Sequence, residues 1–439
     1  MARTVPTSNT VPTSSTVPDP PAVPRIITTD VAVIGGGIVG LAIAWEAQRS
    51  GRNVTVIDPS PATGATFAAA GMLAPVSELH YQEEGLLELT LASAARWPEF
   101  VAPLVAAGHV ETGFRTTPTL VLGADAADRA ALADLRDVQR AHGLDVEQLT
   151  IREARSAEPL LGPHISCAYR IAQDHQVDPR GVATAIRVQL NVVAAGRGRL
   201  REEETSIRRT AVGLLHEDPA NSRSTVTGVV LEDGREVRAR EVVVANGLGA
   251  PLLQGLPEGL VLPVRPVYGD ILRLRVPEHL QPLVTATVRG LVRGLPVYLV
   301  PRNDNTVVVG ATSREDGSAA VSAGGVHQLL RDAQVLVPAV AELELLETTA
   351  RARPGTPDNA PLLGRVGDGA GRDIPGLIVA TGFFRHGVLL TAIAAHIARQ
   401  LLGGITDLAW ERFRPDRFSP GLISPALKAP ALKTTQETP

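Results

Sequence analysis

The chain has 439 residues, carries a net charge of −4 at neutral pH and is 44% hydrophobic. That allows a sizeable core in about two or three domains and offers no basic surface for nucleic acid. No apolar run reaches the ~18 residues needed to cross a bilayer, so no membrane association is expected.

Cys167 is the single cysteine, so no internal disulfide can form, which fits a reducing, cytoplasmic setting. The lysines, Lys428 and Lys433, sit near the chain end. A pyridoxal-phosphate Schiff base and a G-x-x-x-x-G-K-[ST] phosphate loop are thereby excluded from the expected folded part. The histidines show no H-E-x-x-H or similar spacing, and no protein-bound metal is expected. No G-x-S-x-G nucleophile turn is present.

Residues 1–27 repeat Thr-Val-Pro at positions 4, 10 and 16 and are dominated by Pro, Ser and Thr. Such a composition predicts a disordered tail, without the apolar block of a signal peptide. Residues 419–439 are expected to form a second flexible tail. Between them, Val31–Ile34, a helix from Ile38 to Gln48, a stop at Gly51 and Val54–Ile57 read as strand, helix, strand. Helices are predicted over 86–107 with a break near Pro98, over 129–142, after a Thr150/Glu153 capping box, and over 180–195 with Pro179 in its first turn. A hairpin turns at Asp233-Gly234 and leads into a fully apolar strand. Residues 263–353 are strand-rich, with a hairpin at 303–305 and a helix near 324–336. The strand "GLIVAT" and a helix over 387–402 follow.

Gly35, Gly37 and Gly40 form G-x-G-x-x-G between the first strand and helix. Gly35 permits a tight turn, Gly37 lets backbone N–H groups approach a pyrophosphate, and Gly40 lets helix pack on strand. Asp58, 23 positions after Gly35, ends the second strand where a carboxylate can grip ribose hydroxyls. The motif alone does not separate FAD from NAD.

"ATGATFAAAGMLAPVSE" at 62–78 resembles the FAD-binding segment of the D-amino-acid oxidase superfamily, and most closely its glycine oxidases of thiamine biosynthesis. "DHQVDPRG" at 174–181, "VYLVPRNDNTVVVGATSREDG" at 297–317, "ARPGTPDNAPLLGR" at 352–365 and "TGFFRHGVLL" at 381–390 agree. The resemblance implies an α/β fold. A Rossmann-like FAD-binding domain would be assembled from 28–110, 168–262 and 354–415. An α+β substrate domain on an antiparallel sheet would use 111–167 and 263–353. It implies non-covalent FAD held by Gly35, Gly37, Ile38, Val39, Gly40, Asp58 and Thr66, then by Ala69, Ala70, Gly71, Met72 and Val177. Asn246, Gly247, Gly382, Phe384, Arg385, Gly387, Val388 and Leu389 would complete that set.

The implied reaction is oxidation of glycine or another small amino acid by O2, giving imine, then glyoxylate and ammonia, with hydrogen peroxide. Arg353 would bind the substrate carboxylate in bidentate fashion and Tyr298 would donate to the same group. Arg385 would add a second positive group, or its carbonyl would receive the amine. Each has a plainer reading: Arg353 as a salt-bridged strand arginine, Tyr298 as a half-buried strand tyrosine, Arg385 as a capping arginine paired with an acid, Met72 as core filling. Family analogy implies a homo-oligomer, a tetramer in many members, and transfer of product to a thiazole synthase.

Two departures stand out. Relatives carry His-Tyr/Phe-Arg-Asn where this chain has Phe383 to His386, and Trp-Ala-Gly-Leu-Arg-Pro where it has "TARARP". Arg351 and Arg353 lie two apart, on one face of an unbroken strand. Arg351 is therefore a candidate for a second substrate carboxylate, or for a salt bridge to Glu344 or Glu347. Sarcosine oxidases attach FAD through a late cysteine and use a lysine beside it, neither of which this chain offers. A D-amino-acid dehydrogenase using another acceptor and a non-catalytic flavin-binding scaffold remain alternatives.

Overall fold

The computed structural model describes residues 26–199 and 205–422. The expected tails lie largely outside them, with a correction at each inner end. Ile27 already pairs with Val237 in the first strand. Ser419 and Leu422 are buried, and Ser419 Oγ accepts a hydrogen bond from Val261 N at 2.8 Å. Apolar and polar anchoring together hold the chain in place to Leu422.

The first sheet is organised around Ile27–Ile34. The stretch Val31–Ile34 is almost wholly buried, as a strand covered on both faces must be. It pairs in parallel with Val54–Ile57 on one side and Glu236–Val244 on the other. Ser206–Ile207 and Asp373–Thr381 extend the parallel set, and Leu362–Gly367 adds an antiparallel edge. The predicted hairpin is Val226–Leu231 turning into Glu236–Val244, with Ala211–His216 outside it.

Helices Ile38–Arg49, Leu87–Ala107, Pro179–Gly196 and Thr391–Leu402 supply the cover on one face. Trp45, Trp97 and Phe100 fill that core edge-to-face, with ring centroids 5.2 Å apart in both pairs. Leu87–Ala107 runs unbroken through Pro98 and Pro103, against the expected break. Pro98 lies on the exposed side of the helix, while Trp97, Phe100, Val101 and Leu104 hold the buried stripe.

The second sheet runs in the order Glu344–Gly355, Arg265–Arg275, Thr306–Gly310, Leu295–Pro301, Thr287–Val292, Thr119–Gly123, Cys167–Ile171, Glu147–Leu149. All its pairings are antiparallel except Thr287–Val292 with Thr119–Gly123. Helix Ala323–Leu336 packs Leu329, Ala333 and Leu336 against it. Cys167–Ile171 belongs here, so the proposed boundary at 167/168 moves beyond Ile171: hydrogen bonding to Thr119–Gly123 outweighs sequence proximity to 174–181.

Asp125 and Thr150 both form capping boxes, at Ala126–Ala141 and Ile151–Ala157. The first helix starts three residues before the predicted 129 because Asp125 accepts from Ala127 N and Asp128 N. The last helix starts at Thr391, not 387. Gly382 and Phe384 take positive φ (71° and 47°), and 384–386 form a 3₁₀ turn that the α-helix cannot absorb.

Candidate active site

A cavity of about 710 Å³ runs between the two sheets. Its floor begins at the glycine turn. Gly35 has φ +108°, and a Cβ there would meet Ala245 O at 2.5 Å. At Gly40 a Cβ would meet Gly35 O at 2.1 Å, so only glycine lets this helix sit so close. Over Gly37 the nearest atom to a Cβ would be Thr66 Oγ1, at 3.5 Å, which leaves the backbone open to a ligand. Asp58 is fixed by Gly36 N (2.6 Å) and Ser60 N (2.7 Å) at the end of its strand.

Loop 61–66 closes over this turn. Ala62 N donates to Gly36 O at 2.9 Å, and Thr66 Oγ1 accepts from Ile38 N at 2.9 Å. Gly71, with φ +81°, then turns the chain into the Met72–Leu73 strand. Gly35, Gly37, Ile38, Val39, Asp58, Thr66, Ala69, Ala70, Gly71 and Met72 all line the cavity, as do Asn246, Gly247, Phe384, Arg385, Gly387 and Val388. Gly40, Val177, Gly382 and Leu389 do not; they stand behind the wall. Val177 N braces Gly71 O (2.8 Å), and Leu389 O accepts from Ser93 Oγ and Trp97 Nε1. Cys167 is buried in the second sheet and does not line the cavity.

The second sheet supplies the opposite wall. Tyr298 lies between Arg289 and Gly310 in register, and Arg353 pairs with Val267 on the outer strand. A Cβ on Gly310 would meet the Tyr298 hydroxyl at 2.5 Å, and one on Gly269 would meet the Arg353 Nη atoms at 2.4 Å. Two glycines thus let both side chains lie flat along the sheet and face the cavity. Arg353 Nη1 also donates to Thr312 O at 3.3 Å. Burial, partly offset by the Arg353 charge, pushes the Tyr298 phenol up to about 12, so it remains a hydroxyl donor at neutral pH. Arg302 is buried across the seam, its guanidinium donating to Val177 O (3.0 Å) and Ala70 O. It braces the segment that carries Gly71 and Met72.

Arg385 lines the cavity and is engaged by an acid, the partner that its plainer reading expects. It is ion-paired with Glu83, with Nη1 3.0 Å from Oε1, and Asn359 Nδ2 donates to the same oxygen at 2.7 Å. Beside it, Glu78 is paired with Arg289 at 2.6 Å and lies 3.3 Å from His386 Nδ1. Burial alone would raise Glu78, but Arg289, His386 and Arg385 hold its carboxyl well below the usual carboxylate range. His80, at the solvent edge of this group, is lowered to about 4 by burial and by Arg385, so it is neutral at physiological pH. Glu78, His80, Glu83 and Arg289 all line the cavity, and the sequence reading missed them as site residues. Their available signal was the paired acids in the loop following "AAAGMLAP". Arg289 had none, because strand pairing alone brings it to Tyr298.

Arg351 and Arg353 leave their shared face in different directions. Arg351 Nε donates to Thr63 O (2.9 Å) and its Nη1 to Ala350 O (2.8 Å). Glu347 pairs with Arg180 and Glu344 with Arg275, so the salt bridge from Arg351 to either, the alternative to a substrate role, is not formed. Among the described residues no group of three or more His, Cys, Asp and Glu side chains is placed to hold a metal ion, and no helix is long and apolar enough to cross a membrane.

An open glycine turn, a strand-end carboxylate, an elongated cavity and the buried, unpaired Asn246 Oδ1 on its wall suit an extended dinucleotide. The chain belongs to the FAD dependent oxidoreductase family, whose model matches residues 30–401, and FAD is its cofactor. Among its relatives, the glycine oxidase of Geobacillus kaustophilus is 31% identical over 85% of this chain and 92% of its own length. The crystal structure of glycine oxidase from that species superposes with a TM-score of 0.75 at 29% identity, covering 89% of this chain and 99% of the other. The bifunctional protein ThiO/ThiG of Trichormus variabilis is 29% identical over 84% of this chain; the chain spans about half the length of that relative, 52%. The iminodiacetate oxidase of Chelativorans sp. BNC1 matches with a TM-score of 0.71 at 27% identity, covering 88% of this chain and 98% of that one.

Proposed function

We propose that the protein oxidises glycine or another small amino acid at its α-carbon, with O2 as final acceptor. The products are the imine, hydrolysed to glyoxylate and ammonia, and hydrogen peroxide. The observation that carries this reading is the convergence of the Arg353 guanidinium and the Tyr298 hydroxyl on the cavity wall, both laid flat over glycines. A planar guanidinium with a neighbouring hydroxyl donor matches a carboxylate. FAD, when bound, supplies the hydride acceptor, and the protein's contribution is positioning.

The chain's own residues fit that division. Arg353 and Tyr298 orient the carboxylate, while Glu78 and Glu83, each satisfied by an arginine, line the same cavity without adding net charge. Arg385 is a wall residue held by Glu83, not a free second cation. FAD is held without a covalent bond in this reading. The relatives named ThiO/ThiG support a role in the thiazole branch of thiamine biosynthesis, with the imine passed to a thiazole synthase. A homotetramer is the family analogy for its assembly.

Anaerobic mixing with glycine tests the reading. The visible flavin absorption bleaches, and readmitted oxygen restores it with one peroxide per turnover. Bleaching without peroxide would point to a dehydrogenase with another acceptor. No bleaching with any small amino acid would leave only a flavin-binding scaffold.

A further inference from the structure

We propose that Arg351 is a cofactor-binding residue, a cation delivered from the second sheet to the diphosphate of FAD. The inference rests on FAD and not on which amine is oxidised, so it stands or falls apart from the proposed reaction.

Arg351 projects from Glu344–Gly355, on the wall opposite the glycine turn, and lines the cavity. Its Nε hydrogen-bonds to Thr63 O, and its guanidinium stands 5.7 Å from the Phe67 ring. Thr63 lies inside the loop that closes over the phosphate end, tied to the glycine turn by Ala62 N on Gly36 O and by Thr66 Oγ1 under Ile38 N. Backbone N–H groups there are the expected diphosphate cradle.

Of the four arginines that line the cavity, Arg289 and Arg385 are neutralised by Glu78 and Glu83. Arg353 is directed to Thr312 O, beside Tyr298. Arg351 has carbonyl partners and, among the described residues, no carboxylate. It is thus the unneutralised cation at the glycine-turn end of a lining that contains no lysine. A diphosphate diester brings two negative charges to that end, and a guanidinium binds phosphate oxygens in the same forked geometry as a carboxylate.

The test is FAD affinity, read by serial dilution of the holoenzyme and the fluorescence of released flavin. Arg351→Gln is expected to raise the Kd for FAD about two- to fivefold at low ionic strength, the scale of one partly exposed ion pair. The difference shrinks at high salt, because such a pair is screened over about 8 Å in physiological salt. Arg351→Lys restores most of the affinity, and Arg351→Gly serves as a second deletion if the Gln protein does not fold. The ratio of kcat/KM for D-aspartate over glycine stays unchanged in each. An unchanged Kd, or an equal loss at both ionic strengths, would make Arg351 a neutral latch on Thr63 and overturn the proposal. A collapse of the D-aspartate ratio with FAD affinity intact would assign the guanidinium to a second substrate carboxylate and overturn it equally.

Discussion

The Arg353 guanidinium lies against Gly269 of the neighbouring strand, in space that a Cβ on that glycine would occupy 2.4 Å from both Nη atoms. The contact is with the far end of a flexible side chain, so Gly269→Ala moves the arginine rather than the backbone. The expected outcome is a KM for amino acid raised about tenfold or more, with folding stability changed by less than ~1 kcal/mol. Steady-state kinetics and thermal denaturation on one preparation check both halves.

Removing the guanidinium itself should be more severe. Arg353→Ala is expected to raise KM by about 10- to 100-fold, the scale of a lost charge-assisted hydrogen-bonded pair at ~1.5–3 kcal/mol. Flavin content should stay at wild-type level. Loss of FAD from the purified variant would place Arg353 at the cofactor instead.

Tyr298 gives a pH prediction. Because burial pushes its phenol up to about 12, it stays protonated across the working range. Tyr298→Phe should lower kcat/KM by about tenfold, one lost hydrogen bond to a charged group, with the same loss from pH 6 to pH 10. A pH profile whose alkaline limb disappears in the variant would contradict this.

Arg385 and Glu83 should behave as a structural pair. Both are largely buried, at 18% and 12% side-chain exposure. Arg385→Ala leaves the Glu83 charge without its main partner, and the expected cost is about 2–4 kcal/mol of stability. Its effect on KM should be smaller than that of Arg353→Ala. Chemical denaturation alongside kinetics separates the two; a large rise in KM with stability unchanged would make Arg385 a substrate ligand.

Glu78 sets an acid limit on stability. Burial alone would raise its folded-state carboxyl, but Arg289, His386 and Arg385 hold it well below the ordinary glutamate value. A depressed acid contributes stability that is complete above its unfolded value and is lost as pH falls below it. Wild type should therefore lose stability below about pH 4.5. Glu78→Gln should be less stable at pH 7 and flatter in the acid range, as read from urea midpoints at several pH values.

The glycine-turn side of the cavity was readable because its pattern is local. A glycine turn, an acid after the second strand and the run from Thr66 to Met72 all lie within one short stretch of chain. That Tyr298 and Arg353 face the cavity was readable only through resemblance. The glycines that orient them, Gly310 and Gly269, come from other strands and carry no signal beyond their identity. The charged group of Glu78, Glu83, Arg289 and Arg385 was not readable as a unit, because its members are separated by up to 307 positions and meet only in the fold. The last helix was extended too far for a related reason: apolar residues 387–390 fit helical periodicity, but positive φ at Phe384 delays the first α-helical turn.

Arg302 has a mechanical consequence. It spans from the second sheet into the first domain and spends its hydrogen bonds on the carbonyls of Ala70 and Val177. Swinging the two sheets apart would leave a buried guanidinium stripped of both acceptors, at a cost of several kcal/mol. The two halves are thus riveted together behind the cavity wall, at the segment that carries Ala70 and Gly71, so the sheets are held at a fixed separation there.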